Sequence, residues 1–162
     1  MRSLLSLVAT LACLASPVSA DQWYVDSTNG SDSNSGLDWS DPWKTIRYAS
    51  VVVGAGNHTI HVAPGTYDAA SGEVFPIWIR SGVKIIGVDR DTTIVSGPAP
   101  DLFRMDTTAQ TIAPGTGLKQ LTIRNADRGI RITSLYDATQ AHVNATFETL
   151  LLEDCTVGFS SY

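Results

Sequence analysis

Cysteine is nearly absent. Only Cys13 and Cys155 occur, and Cys13 lies in a segment that reads as a removable leader. Cys155 is then without an intramolecular partner, so no disulfide framework is expected. Basic residues are also scarce: removing Arg2 with the leader leaves ten Lys and Arg against sixteen Asp and Glu, a net charge of −6. That balance argues against nucleic acid or an anionic membrane as partner. It also opposes direct binding of polyuronates unless a divalent cation bridges the carboxylates of protein and sugar. After residue 20 no apolar run approaches the ~20 residues a bilayer span needs, so no membrane association is expected once the leader has gone. No G-x-S-x-G elbow, P-loop or dinucleotide fingerprint is present. His58, His61 and His142 lack the spacing of zinc ligands.

The leader comprises Arg2, an apolar run from Leu4 to Ala15, Pro17, and the small-residue ending Val18-Ser19-Ala20 before Asp21. This is the pattern of a secretory signal peptide. It predicts a mature chain from Asp21 in the extracellular space or a periplasm. Residues 21–162 suit a single domain able to bury its own core.

The segments LTIRNADRGI (121–130) and LLLEDCTVGF (150–159) superpose at a shift of 29 residues, with Leu121 on Leu150, Ile123 on Leu152, Asn125 on Asp154 and Ile130 on Phe159. Self-similarity at this period marks stacked units that bury a face against one another, and the alternation within each unit makes the units strands. Further alternation at Ile60/Val62, Ile77/Ile79, Val83/Ile85 and Ile94 is interrupted by Gly, Pro, Asp and Asn turn clusters. The reading is all-β, a parallel β-helix. One amphipathic helix is predicted over 43–53, with Ile46, Ala49, Val52 and Val53 on its buried face and Gly54-Ala55-Gly56 as its stop. Such a helix would cap the open end of a solenoid, with Trp23, Trp39 and Trp43 packed in the same cap. Cys155 takes the repeat position of Ala126, which predicts a buried, inert thiol.

The order YVDSTNGSDSNSG, PWKTI, helix, HVAPGTY, FPIWI, SGVKIIGVD, TTIVSG over roughly 23–97 resembles the N-terminal module, of unknown function, of secreted right-handed β-helix proteins of the pectate-lyase-like superfamily. The resemblance implies a right-handed solenoid, with 23–97 forming the cap and first rungs and 98–162 further rungs. That superfamily includes polysaccharide lyases, glycoside hydrolases, epimerases and proteins without demonstrated activity. A similar opening occurs in some calcium-dependent pectate lyases, but no aspartate cluster of their kind stands in 98–162, so no catalytic residue is carried over.

Among side chains with chemical potential, Asp26, Asp32, Asn34 and Asp38 place oxygens at close intervals in a Gly-containing loop, a pattern that would suit calcium, the one cofactor the sequence leaves open. The same residues also form Asx turns without any ion. Arg80, Lys84, Arg104, Lys119, Arg124, Arg128 and Arg131 are the basic residues on the rungs; Arg124 should stack on Glu153 as an exposed ion pair. The carboxylates Asp89 and Asp91, Asp101 and Asp106, Asp127, Asp137, Glu148 and Asp154 read as turn or surface groups, not as the facing pair a glycosidase needs. The chain stops directly after a rung-like strand, at Phe159-Ser-Ser-Tyr162, which reads as a fragment of a longer β-helix.

The functional expectation is a secreted module that binds or supports binding of an extracellular polysaccharide, with no catalytic centre of its own. The alternatives are the N-terminal part of a calcium-dependent polysaccharide lyase, and a structural or adhesin-like surface spacer.

Overall fold

The computed structural model describes residues 20–107, 112–134 and 143–161. The leader, Asp137 and His142 lie outside this range. Among the described residues, eleven strands and one helix follow one another: β1 (Asp21–Val25), α1 (Ile46–Val53), β2 (His58–Val62), β3 (Gly65–Tyr67), β4 (Ile77–Trp78), β5 (Val83–Gly87), β6 (Thr93–Ser96), β7 (Asp101–Thr107), β8 (Ile112–Arg124), β9 (Arg128–Ser134), β10 (Val143–Glu153) and β11 (Val157–Ser161). All strand pairings are parallel. The result is a β-solenoid of about three turns.

Three walls follow from the pairings. The first runs β1-β2-β5-β8-β10, using the earlier part of each long strand. The second runs β3-β6 and then the last residues of β8 and β10. The third is β4-β7-β9-β11. β8 and β10 serve two walls because each bends at a residue with positive φ, Gln120 (56°) in one and Thr149 (52°) in the other. The next corner is made by Asn125 (60°) and Asp154 (50°), residue types that tolerate the left-handed region better than most. The 29-residue repeat is thus a register: Leu150 pairs with Leu121, Leu152 with Ile123 and Phe159 with Ile130.

Inward positions build one continuous core. Ile60, Ile85 and Leu118 stack on the first wall, Tyr67, Val95 and Ile123 on the second, and Ile77, Phe103 and Ile130 on the third, each at most 1 % exposed. Tyr67, from the VAPGTY motif, is wholly buried, and its hydroxyl donates to the Ala63 carbonyl (3.0 Å). Burial pushes this phenol well above its ordinary pKa.

Gly82, in the SGVKIIG motif, has φ +78°, and a Cβ there would stand 2.4 Å from the Gly56 carbonyl oxygen. Gly82→Ala is expected to lose about 1–2 kcal/mol from conformation alone, and the displaced carbonyl adds to this. Gly115→Ala, also at positive φ but with open space around it, isolates the conformational part. Urea unfolding of both variants checks the ordering, and an equal loss in the two would mean that the close approach to Gly56 carries no energy.

The helix begins at Ile46, three residues later than the periodicity suggests, because Thr45 is its N-cap. Its buried face is Ile46, Ala49 and Ser50, while Val52 is 52 % exposed. Trp23 and Trp43 do stack in the cap, with ring centroids 5.0 Å apart. Trp39 does not join them and is 47 % exposed. Cys155 is half-buried instead of buried, since among the described residues no strand lies beyond β10 and β11. For the same reason the inward Leu152 and Phe159 are 38 % and 48 % exposed. Arg124 and Glu153 are register partners, but their side chains do not close into an ion pair within 4 Å.

Candidate functional site

The loop between β1 and α1 carries the proposed calcium residues. Asp26 Oδ1 accepts the backbone N–H of Thr28 (2.8 Å) and Asn29 (3.1 Å), and its Oδ2 accepts Asn29 Nδ2 (2.9 Å). Although partial burial works to raise its pKa, the Asn29 and Thr28 donors outweigh this and hold the carboxylate below its ordinary value. Asp32 reaches forward 12 and 13 residues, where Oδ1 accepts the N–H of Lys44 (2.9 Å) and Thr45 (3.0 Å) and Oδ2 accepts the Thr45 hydroxyl (2.9 Å). Asn34 Nδ2 donates to the Pro42 carbonyl and the Asn34 carbonyl accepts Trp43 Nε1. Asp38 Oδ1 accepts the N–H and hydroxyl of Ser40 (2.7 and 2.6 Å), and these donors depress its pKa. The four polar groups therefore tie the loop to itself and to the start of α1. Among the described residues no three His, Cys, Asp or Glu side chains converge as a metal site. Gly36 (φ +71°) closes the loop, where a Cβ would meet the Trp43 ring at 2.5 Å.

This loop sets Trp39 beside the outward surface of the first wall. Alternation points Gln22 and Tyr24 of β1, Thr59 and His61 of β2, Lys84 and Ile86 of β5, Lys119 of β8 and Glu148 of β10 to the outside. Register aligns Tyr24, His61, Ile86, Lys119 and Glu148 as one row across five strands. The Tyr24 ring stacks on His61 (5.2 Å, 21°), and Trp39 meets Tyr24 edge-on (4.8 Å, 65°). Gln22 Oε1 lies 2.6 Å from His61 Nε2. Partial burial lowers the His61 pKa and so favours the neutral ring. At the other end of the row Lys119 and Glu148 form an ion pair of 3.2 Å, both side chains well exposed. The arrangement is a flat, ridged surface with aromatic carbon at one end and hydrogen-bonding groups along it.

The other charged candidates are dispersed. Asp89 and Asp91 sit in a turn, where Asp89 holds Thr92 and the Asp91 N–H, and Arg90 binds Asp91. The Arg90 hydrogen bond and charge hold Asp91 below its usual pKa. Asp101 is buried between Arg128 Nε (2.5 Å) and Arg131 Nη1 (3.4 Å). Lys84 and Lys119 belong to the first wall, Arg124 to the second, and Arg80, Arg104, Arg128 and Arg131 to the third or its edge. The row through Tyr24 was not anticipated, because β1 is too short to show a period. The dipeptide Trp23-Tyr24 carried the signal, one ring turned inward and the next outward.

No curated protein and no solved structure matches the chain. Residues 28–93, which hold the loop, α1 and the first rungs, match the model of a family described as "Protein of unknown function (DUF1565)".

Proposed function

We propose that this protein is a secreted module that binds an extracellular polysaccharide on the outer surface of its first wall. The observation that carries this reading is the stack of Tyr24 on His61 with the exposed Trp39 at its edge. A sugar ring presents an apolar C–H face and a rim of hydroxyls, and such a ligand suits aromatic rings flanked by a few placed polar groups. Parallel strands space those groups ~4.8 Å apart, comparable to the length of one sugar unit, so successive rungs can meet successive sugars. Neutral His61 and Lys119 in the row, with Gln22 and Lys84 in the row beside it, supply donors and acceptors. The loop that aims Trp39 is held by Asp32, Asn34 and Asp38 acting as structural acceptors and donors.

The test is affinity electrophoresis of the chain in gels containing neutral or uronate polysaccharides, with and without calcium. Retardation by at least one neutral polysaccharide is expected, with Trp39→Ala weakening it by about tenfold, the loss of one stacking contact of roughly 1–1.5 kcal/mol. Absence of retardation across the panel would overturn the reading. Release of unsaturated sugars on addition of calcium would replace it with a lyase.

A further inference from the structure

Beside the Tyr24 row the first wall carries a second outward row, Gln22, Thr59, Lys84, Gly117 and Thr146, in register across the same five strands. The two rows stand two residues apart on each strand, roughly 6.6 Å, which is close to the width of a sugar ring. A main chain lying along the Tyr24 row therefore turns its substituents, not its own rings, onto the second row. Charge differs between the rows. Lys119, in the Tyr24 row, is neutralised by Glu148 at 3.2 Å. Lys84 is half-buried and has no carboxylate within 4 Å among the described residues. An ammonium without a partner in the protein keeps its head in water while its stem lies along the wall. Its register partner on β8 is Gly117, where a Cβ would collide with the Thr146 carbonyl, so no side chain can stand beside Lys84 on that strand. On β2 its partner is Thr59, which also faces out and supplies a hydroxyl.

A carboxylate fits this pair, with one charge for Lys84 and a second oxygen for the Thr59 hydroxyl. The Tyr24 row is unsuited to the same group: Glu148 closes one end, Ile86 offers no donor, and the chain as a whole carries −5. Given polysaccharide binding on the first wall, on which this step rests, we propose that the ligand has a neutral main chain and acidic branches, the main chain lying along the Tyr24 row and a branch carboxylate meeting Lys84 and Thr59. A polyuronate main chain is a different case, because every sugar carries a carboxylate and the surplus ones face Glu148 and the chain's own negative charge. Lys84 is then the residue that sets specificity, and the Tyr24 row holds the main chain whether or not a branch is acidic.

Frontal affinity chromatography of the full chain on immobilised xylan, β-glucan and galactomannan, each as the neutral polymer and after sparse carboxymethylation, tests the assignment. On whichever main chain is bound, carboxymethylation is expected to raise affinity about fivefold at low salt, the upper end for a solvent-exposed ion pair. The gain should vanish in about 1 M salt, where the Debye length is about 3 Å. Lys84→Gln should bring the ratio of the two affinities to about one, while Lys84→Arg, which keeps the charge, should preserve it. Trp39→Ala should weaken both forms by the same factor and leave the ratio unchanged. Polygalacturonate without calcium should bind more weakly than the carboxymethylated polymer. Equal affinity for the neutral and carboxymethylated forms, an undiminished ratio in Lys84→Gln, or tighter binding of polygalacturonate would overturn the proposal and leave the first-wall reading standing. Binding of neither form of any of the three polymers would overturn both.

Discussion

Phe103→Ala is expected to lower the free energy of unfolding by about 3–5 kcal/mol. Phe103 is fully buried and stands between Ile77 and Ile130 on the third wall. Two effects add: the ring loses its burial, and rungs held by backbone hydrogen bonds on both sides cannot collapse into the space it leaves. A domain of this size has a total stability of about 5–15 kcal/mol, so the loss takes about a fifth of it or more. In a solenoid the damage also spreads along the axis, because each rung is stabilised by its neighbours. Phe103→Leu fills most of the volume and is expected to cost less than half as much. Urea unfolding followed by circular dichroism measures both. A Phe103→Ala loss below about 1 kcal/mol would show that the third wall is loosely packed.

The coil structure was legible where two successive turns have the same length, as at Leu121/Leu150, where β8, β9, β10 and β11 keep one spacing. Earlier turns hide the same geometry. His58 pairs with Val83, a step of 25, while Lys84 pairs with Gly117, a step of 33. Loops between walls absorb such differences at little cost, so the fold persists while the period vanishes. The helix start was missed because Trp43 and Lys44 look helical by pattern, whereas Asp32 ties the Lys44 and Thr45 amides into the loop. The resemblance of 23–97 gave the fold class early, and the solenoid agrees with it. Charge was the least legible property. A net value averages over all surfaces, and only strand register reveals that Arg104 and Arg131 are neighbours on one wall, next to Trp78. The aromatic row depends likewise on β1 pairing with β2, a contact between residues 37 positions apart, Tyr24 with His61.

Glu73→Ala should produce the other large loss, and its pH dependence identifies the cause. Glu73 is 3 % exposed and crosses 27 residues of sequence to cap α1, with Oε2 accepting the Ile46 N–H and Oε1 the Arg47 N–H, both at 2.8 Å. Thr45 Oγ1 takes the Tyr48 N–H (3.1 Å). The first turn of the helix thus has its free donors filled by its own N-cap and by one distant residue. Removing the carboxyl strands two amides in a buried site at about 1–3 kcal/mol each. Burial pushes the Glu73 pKa up to about 7 against the opposing pull of those amides, from an ordinary 4.5. With the folded value above the unfolded one, the folded protein holds the extra proton between the two. This contribution is present in full below pH 4.5, fades as pH rises, and is gone above about pH 7, a change of order 3 kcal/mol. Asp26, Asp38 and Asp91, whose values are depressed below 3.8, stabilise above that range and lose their effect only in stronger acid, so they add no slope here. His61, depressed by burial, gives a slope of opposite sign below pH 6.5, but the same one in every Glu73 variant. The difference in unfolding free energy between the native protein and Glu73→Gln, measured by urea unfolding at pH 5 and pH 7.5, therefore isolates Glu73. The native protein is expected to lose about 2–3 kcal/mol more than Glu73→Gln over this interval. Parallel profiles would mean that the carboxyl is ionised throughout and that the helix N-terminus, not burial, governs its charge.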